Sequence, residues 1–144
     1  PTQAIHATPR AFTAALAAVR PTAPVMWKAH TAAAPCPTCR PYASPGWESF
    51  PASQDGTALQ PLGALWLPGD DEPTLDEHRP TGVDAWSADA PISLAHHPYN
   101  RCEVWACRHC QLPFLRYTEY GGYYIDPRIR ELHADKLLGN QLPG

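Results

Sequence analysis

The chain has 144 residues, long enough for one ordinary domain with a modest core, and its net charge of −3 gives no general attraction to phosphate polymers. That charge is uneven: Pro1 to Cys39 carries three basic and no acidic residues, Arg40 to Tyr99 two basic against nine acidic, and Asn100 to Gly144 six basic against five acidic. The acidic middle repels nucleic acid and favours basic partners, and no apolar run approaches the ~20 residues of a membrane-spanning helix.

Eighteen prolines, most of them before residue 100, predict much irregular loop and few long helices there. Thr8 before Pro9 nonetheless has helix-start chemistry, a capping hydroxyl followed by a proline whose missing N–H costs nothing at the first turn. Phe12, Leu16 and Val19 then recur at spacings of four and three, which predicts a helix with one apolar stripe ending before Pro21. The stretch "AFTAALAAV" is too weakly apolar for a secretory leader and runs into "RPTAP", so a cytoplasmic protein is expected. "VMWKAH", Val25 to His30, reads as a short strand leading into "PCPTCRP".

Gly46 to Pro91 is dominated by turn residues. Trp47, Phe50, Leu65, Trp66, Leu67 and Trp86 are too many large apolar groups for a tether, so an ordered, loop-rich insertion is expected, with a flexible acidic stretch at Asp70 to Glu77. Beyond it, "RCEVWAC", "LPFLRYTEY" and "YYID" read as three strands. The Gly121-Gly122 pair suits a two-residue turn with positive φ angles, which sets Tyr120 opposite Tyr123, Glu119 opposite Tyr124 and Thr118 opposite Ile125. Phe114, Arg116, Thr118, Tyr120, Tyr123 and Ile125 then share one face, and Leu115, Tyr117, Glu119 and Tyr124 the other. Asp126 followed by Pro127 predicts a capped C-terminal helix, with Ile129, Leu132 and Lys136 to Leu137 as its stripe and an end near Gly139.

Two cysteine pairs carry the most specific chemical signal. Cys36-x-x-Cys39 and Cys107-x-x-Cys110 each place two thiolates at the spacing of a tight knuckle, and two knuckles supply the four sulfurs of a tetrahedral zinc site. The 67 residues between the pairs are tolerable because closure cost grows only logarithmically with loop length. A redox pair would need a helix start after Cys39 or Cys110, where "RPYASPG" and "QLPF" stand instead. Disulfides would require an exported protein. Cys102 reads as a buried thiol. Four thiolates close the coordination shell, which makes the zinc structural; His96, His97 and His109 are the candidates to replace a sulfur, and no known hydrolase or deaminase spacing is present.

The run "LAHHPYNRCEVWACRHCQLPFLRYTEYGGYYIDPRIREL", Leu94 to Leu132, together with "CPTC", resembles a group of small bacterial zinc-ribbon-like proteins. In overall style it is similar to immunity proteins encoded beside secreted interbacterial toxins. The resemblance implies Cys36, Cys39, Cys107 and Cys110 as zinc ligands, and a toxin domain as partner.

The expectation is therefore one α+β domain, 1–144, built on a zinc-ribbon-like β-hairpin core. It comprises an N-terminal helix (1–24), a first zinc knuckle (25–45), an acidic proline-rich insertion (46–91), and a second knuckle with hairpin and C-terminal helix (92–144). Its expected function is non-enzymatic protein binding, with Asp70, Asp71, Glu72, Asp76, Glu77, Tyr117, Tyr120 and Tyr124 facing the partner. Two alternatives remain. One is a zinc-ribbon nucleic-acid-binding or regulatory protein, favoured by tyrosines near Arg116 and Arg128 and opposed by the acidic block. The other is a metal-dependent enzyme, which would need a histidine-containing shell.

Overall fold

A computed structural model describes residues 20–21, 35–78, 80–133 and 136. Six strands occur in chain order: β1 (Arg20–Pro21), β2 (Glu48–Ser49), β3 (Leu59–Ala64), β4 (Glu103–Cys107), β5 (Pro113–Tyr120) and β6 (Ile125–Glu131). They form one antiparallel sheet in the order β1-β3-β4-β5-β6-β2. Helical structure among the described residues is confined to short 3-10 turns, at Arg40–Tyr42, at Tyr99–Arg101 and at Lys136. No helix among them is long and apolar enough to cross a membrane.

The expected α+β class is thus corrected to a β structure over the described residues. Where the C-terminal helix was expected to start, Ile125–Glu131 is instead a strand that pairs with β5 along its whole length. Asp126-Pro127 has the local chemistry of a helix start, but the Asp126 carboxylate is taken by Ser49 Oγ (2.9 Å) and Arg128 Nε (3.0 Å). Cross-strand partners have displaced the cap, and the Pro127 carbonyl accepts from Phe50 N–H on the sheet edge (2.7 Å). Of the predicted N-terminal helix (1–24) only Arg20–Pro21 is described, and it pairs with Gly63 and Ala64 as strand β1, against the helical expectation; the rest of it and the strand predicted at Val25 to His30 lie outside the described residues.

The hairpin between β5 and β6 also differs in register. Tyr120 stands opposite Ile125, Glu119 opposite Asp126 and Thr118 opposite Pro127, so the loop is Gly121 to Tyr124. Neither Gly121 nor Gly122 adopts a positive φ. Gly121 instead lets the Tyr124 ring lie against its α-carbon, where a side chain would displace that ring. A shift of two residues leaves every side chain on its expected face, so alternation cannot choose between the two registers. Contacts farther along the strands can: the observed pairing sets Arg128 beside Tyr117, whose hydroxyl accepts from Nη1 at 2.9 Å.

Both faces of the sheet are covered. On one, Leu62, Val104, Ala106 and Leu115 pack with Trp47, Ile92, Leu94, Tyr99 and Leu132. On the other, Leu59, Cys107, Phe114 and Ile129 pack with Cys39, Tyr42 and Leu112. Strand alternation accounts for the division, since Val104 opposes Leu115 while Trp105 opposes Phe114. A register shift between Pro61 and Gly63 leaves Leu62 free to join the first face.

Charged groups enter this interior only with partners. Arg130 is fully buried and donates to the Tyr99 hydroxyl (2.6 Å) and to the Ala90 carbonyl. Glu131 Oε2 accepts from Ser44 N–H (2.6 Å), and its Oε1 meets His133 Nε2 at 2.6 Å. Arg116 lies between the Phe50 and Trp105 rings, 4.2 and 4.4 Å from their centroids.

Leu115 touches the centre of the first core, so Leu115→Ala is expected to cost about 2–5 kcal/mol in chemical unfolding. Tyr123→Ala, at a fully exposed position, is expected to change stability by no more than about 0.5 kcal/mol. Equal effects at the two sites would contradict this description of the core.

Candidate metal centre and partner surface

Cys107 ends β4, and Cys110 follows on the turn that leads to β5. The turn is closed by Gln111 N–H on the Cys107 carbonyl (2.9 Å), with Gln111 at φ 67°. Within it the backbone N–H groups of His109 and Cys110 point to Cys107 Sγ at 3.3 and 3.4 Å, an arrangement that favours negative charge on sulfur. The first pair repeats this logic from a loop. The Cys36 carbonyl accepts from Cys39 N–H (3.1 Å) and Arg40 N–H (2.8 Å), while Pro37 restricts the chain between the two ligands.

The two turns meet over the second core. Cys36 Sγ lies 3.8 Å from Cys39 Sγ and 3.6 Å from Cys107 Sγ, and Cys39 Sγ lies 3.7 Å from Cys110 Sγ. All four sulfurs fall within 4.8 Å of one another. Zinc–sulfur bonds of about 2.3 Å at tetrahedral angles would set the sulfurs about 3.8 Å apart. A disulfide needs about 2.05 Å, so the observed spacing is that of ligands around an ion. All five cysteines are free thiols.

Electrostatics points the same way. Burial pushes the Cys39 and Cys107 thiols up, and their sulfur neighbours add to the resistance to ionisation. Burial also acts to raise Cys36, but the Cys39 N–H and the neighbouring thiols outweigh it and bring Cys36 down to about 6. One anion can be shared by such a group of thiols. Four thiolates at these distances need a cation among them.

Among the described residues the cluster contains these four cysteines and no histidine. His96 Nδ1 pairs with Ser93 Oγ (2.6 Å), and His97 N–H donates to the Asp76 carbonyl (2.8 Å). Cys102 is fully buried and donates to the Pro98 carbonyl at 3.3 Å, away from the cluster, as expected for a core thiol. Burial holds its pKa well above the usual thiol value.

The acidic stretch is laid along the Tyr99–Arg101 turn through its backbone. Arg101 Nη2 donates to the Pro73 carbonyl (3.1 Å) and Asn100 Nδ2 to the Thr74 carbonyl (2.9 Å). Asp70 Oδ2 closes its own turn on Leu67 N–H (2.9 Å), and the Asp71 carbonyl accepts from Trp66 Nε1 (2.9 Å). Using main-chain groups to anchor the stretch leaves the side chains of Asp71, Glu72, Asp76 and Glu77 at the exposed surface.

The tyrosines divide. Tyr117 packs edge-on against Trp47 with centroids 4.8 Å apart, and its hydroxyl bonds Arg128 and Glu119. Burial raises its pKa even though Arg128 opposes the shift. Tyr120 and Tyr124 are 73% and 56% exposed, and the structure adds two neighbours that the sequence reading did not single out, Tyr123 and Ile125. Glu77, His78 and residues of the 80–91 loop also enclose a cleft against β5 and β6, walled by Trp86, Tyr117 and Arg128. Its members are too scattered in sequence for any local pattern to have indicated it.

No protein-family model, curated protein or solved structure matches the chain significantly.

Metal binding should accordingly hold the fold together. Cys107→Ser, or chelation of the metal, is expected to abolish cooperative unfolding, since structural zinc contributes about 10–16 kcal/mol against a typical domain stability of about 5–15 kcal/mol. Because protons compete with metal for thiolates, affinity should fall as pH is lowered. A metal-stripped chain that unfolds cooperatively at an unchanged temperature would refute the structural role.

Proposed function

We propose that the protein is a non-enzymatic, zinc-stabilised binding module of the immunity type, which neutralises a basic toxin domain by covering it. The observation that carries this reading is the β5–β6 tip. Tyr120, Tyr123, Tyr124 and Ile125 are all largely exposed within one six-residue stretch, and none of them belongs to either core. Large aromatic groups left in water at a rigid hairpin end are typical anchors of protein interfaces.

The acidic segment supplies the complementary term. Asp70, Asp71, Glu72, Asp76 and Glu77 lie on a chain segment tied to the body of the protein, and such a fixed acidic surface speeds encounter with a cationic partner. The metal centre supports a structural role: four cysteine sulfurs fill a tetrahedral shell with protein ligands. Zinc is the ion that this donor set and spacing suit best. The module's work then lies on its surface.

The test is reconstitution with the toxin-like product encoded beside this chain. A one-to-one complex is expected, with loss of toxicity on co-expression. Tyr120→Ala with Tyr124→Ala should weaken the complex by about 10- to 1,000-fold. Neutralising the five acidic side chains should slow association and flatten its salt dependence. A zinc-loaded protein that neither binds nor protects against that product would overturn the assignment.

A further inference from the structure

The four cysteines of the metal centre also form two pairs that run between the turns. Cys36 Sγ lies 3.6 Å from Cys107 Sγ and Cys39 Sγ lies 3.7 Å from Cys110 Sγ, and in both pairs the partners are 71 residues apart. Each pair joins a partly exposed sulfur, Cys36 or Cys110, to a buried one, Cys107 or Cys39. A disulfide of about 2.05 Å would form from either pair if each sulfur moved by less than about 1 Å, which side-chain rotation can supply.

The sulfurs therefore divide into an accessible and a sheltered member. Cys36 and Cys110 can be reached by a small oxidant, while Cys107 and Cys39 stand directly behind them. Cys107 is suited to complete a bond to Cys36. It is that sulfur's nearest neighbour, and the N–H groups of His109 and Cys110 at 3.3 and 3.4 Å hold negative charge on it. Pairing inside the first knuckle, Cys36 with Cys39, starts from 3.8 Å and would leave the two turns without a sulfur link. The fifth cysteine provides an internal standard. Cys102 is fully buried, donates to the Pro98 carbonyl and stands outside the cluster.

We propose that the cluster is an oxidation site for peroxides, which convert it from a zinc cage into the disulfides Cys36–Cys107 and Cys39–Cys110. The Cys36 thiolate attacks one peroxide oxygen; the O–O bond breaks, the other oxygen leaves as hydroxide, and the sulfur becomes a sulfenic acid. The Cys107 thiolate then attacks that sulfur, forming the S–S bond and expelling a second hydroxide. Each disulfide thus takes two electrons from two thiolates, reduces one peroxide, and consumes two protons to give two waters. Cys110 and Cys39 repeat the sequence with a second peroxide. Disulfide sulfur no longer offers a thiolate to the metal, so zinc leaves. The same two turns stay joined, now by covalent bonds that close long loops and so restrict the unfolded chain. The inference rests on the geometry of the cluster and not on the identity of any partner.

Hydrogen peroxide added to the zinc-loaded full chain, with zinc release followed by a chromogenic chelator, tests this on the unmutated protein. Zinc should leave as the four cluster thiols are lost, and mass spectrometry of the unreduced digest should find the two cross-turn linkages with Cys102 still a thiol. The oxidised, metal-free chain should keep its sheet signal in circular dichroism and unfold cooperatively. Dithiothreitol with a chelator should abolish that transition, and dithiothreitol with zinc should restore it. Disulfides within the knuckles, sulfinic acids in place of disulfides, oxidation of Cys102 before zinc is lost, or loss of cooperative unfolding on oxidation would each overturn the proposal. Cys102→Ala should release zinc as the parent chain does; suppressed release would assign the reactive sulfur to Cys102 and refute the site. A chain purified without zinc that still yields both cross-turn linkages supports the oxidation site and refutes the zinc reading.

Discussion

Four sulfur atoms drawn from two distant turns meet at ligand distance, and the rest of the structure is arranged around that meeting. Four thiolates so close together would repel strongly in a half-buried site, so the cluster can ionise fully only around a cation, which its geometry is positioned to hold. The pairs are 67 residues apart, which makes the centre a long-range staple and not a local turn. Closing such a loop costs only logarithmically more than closing a short one, whereas zinc binding contributes on the order of the stability of a whole domain. Residues 46–91 are rich in proline and turns, and the strands and the cysteine cluster that flank them fix where the segment begins and ends.

The sheet carries this constraint to both faces. Cys107 ends the strand whose Val104 and Ala106 line one core, while Cys107 itself lies in the other. Trp47 and Tyr117 join the first core to the cleft, and Arg128 links Tyr117, Glu119, Asp126 and Trp86. These contacts tie the β5–β6 surface groups around Tyr117 and Arg128 to the first core.

The parts legible in the sequence were those governed by short-range chemistry. Cys-x-x-Cys spacing identified the knuckles, "RCEVWAC" and "LPFLRYTEY" read as the strands that became β4 and β5, and alternation gave the faces of the β5 side chains. Asp126-Pro127 misled because helix caps and strand entries use the same residues. The choice was made by Ser49, Arg128 and the edge contact at Phe50, which are distant or ambiguous in sequence. The Gly121-Gly122 turn failed for a related reason. Two registers place identical faces inward, and only the pairing of Arg128 with Tyr117 distinguishes them. The cleft was invisible because its walls come from residues 47, 77–78, 80–91, 97–99 and 117–128, which no local motif connects.

X-ray absorption at the zinc edge, on protein purified without added metal, tests the central claim most directly. One zinc per chain surrounded by four sulfurs at about 2.3 Å, with no nitrogen or oxygen neighbour, is the result expected of the Cys36, Cys39, Cys107 and Cys110 cage. A shell containing imidazole nitrogen or water oxygen would contradict the closed structural site and reopen metal-centred chemistry.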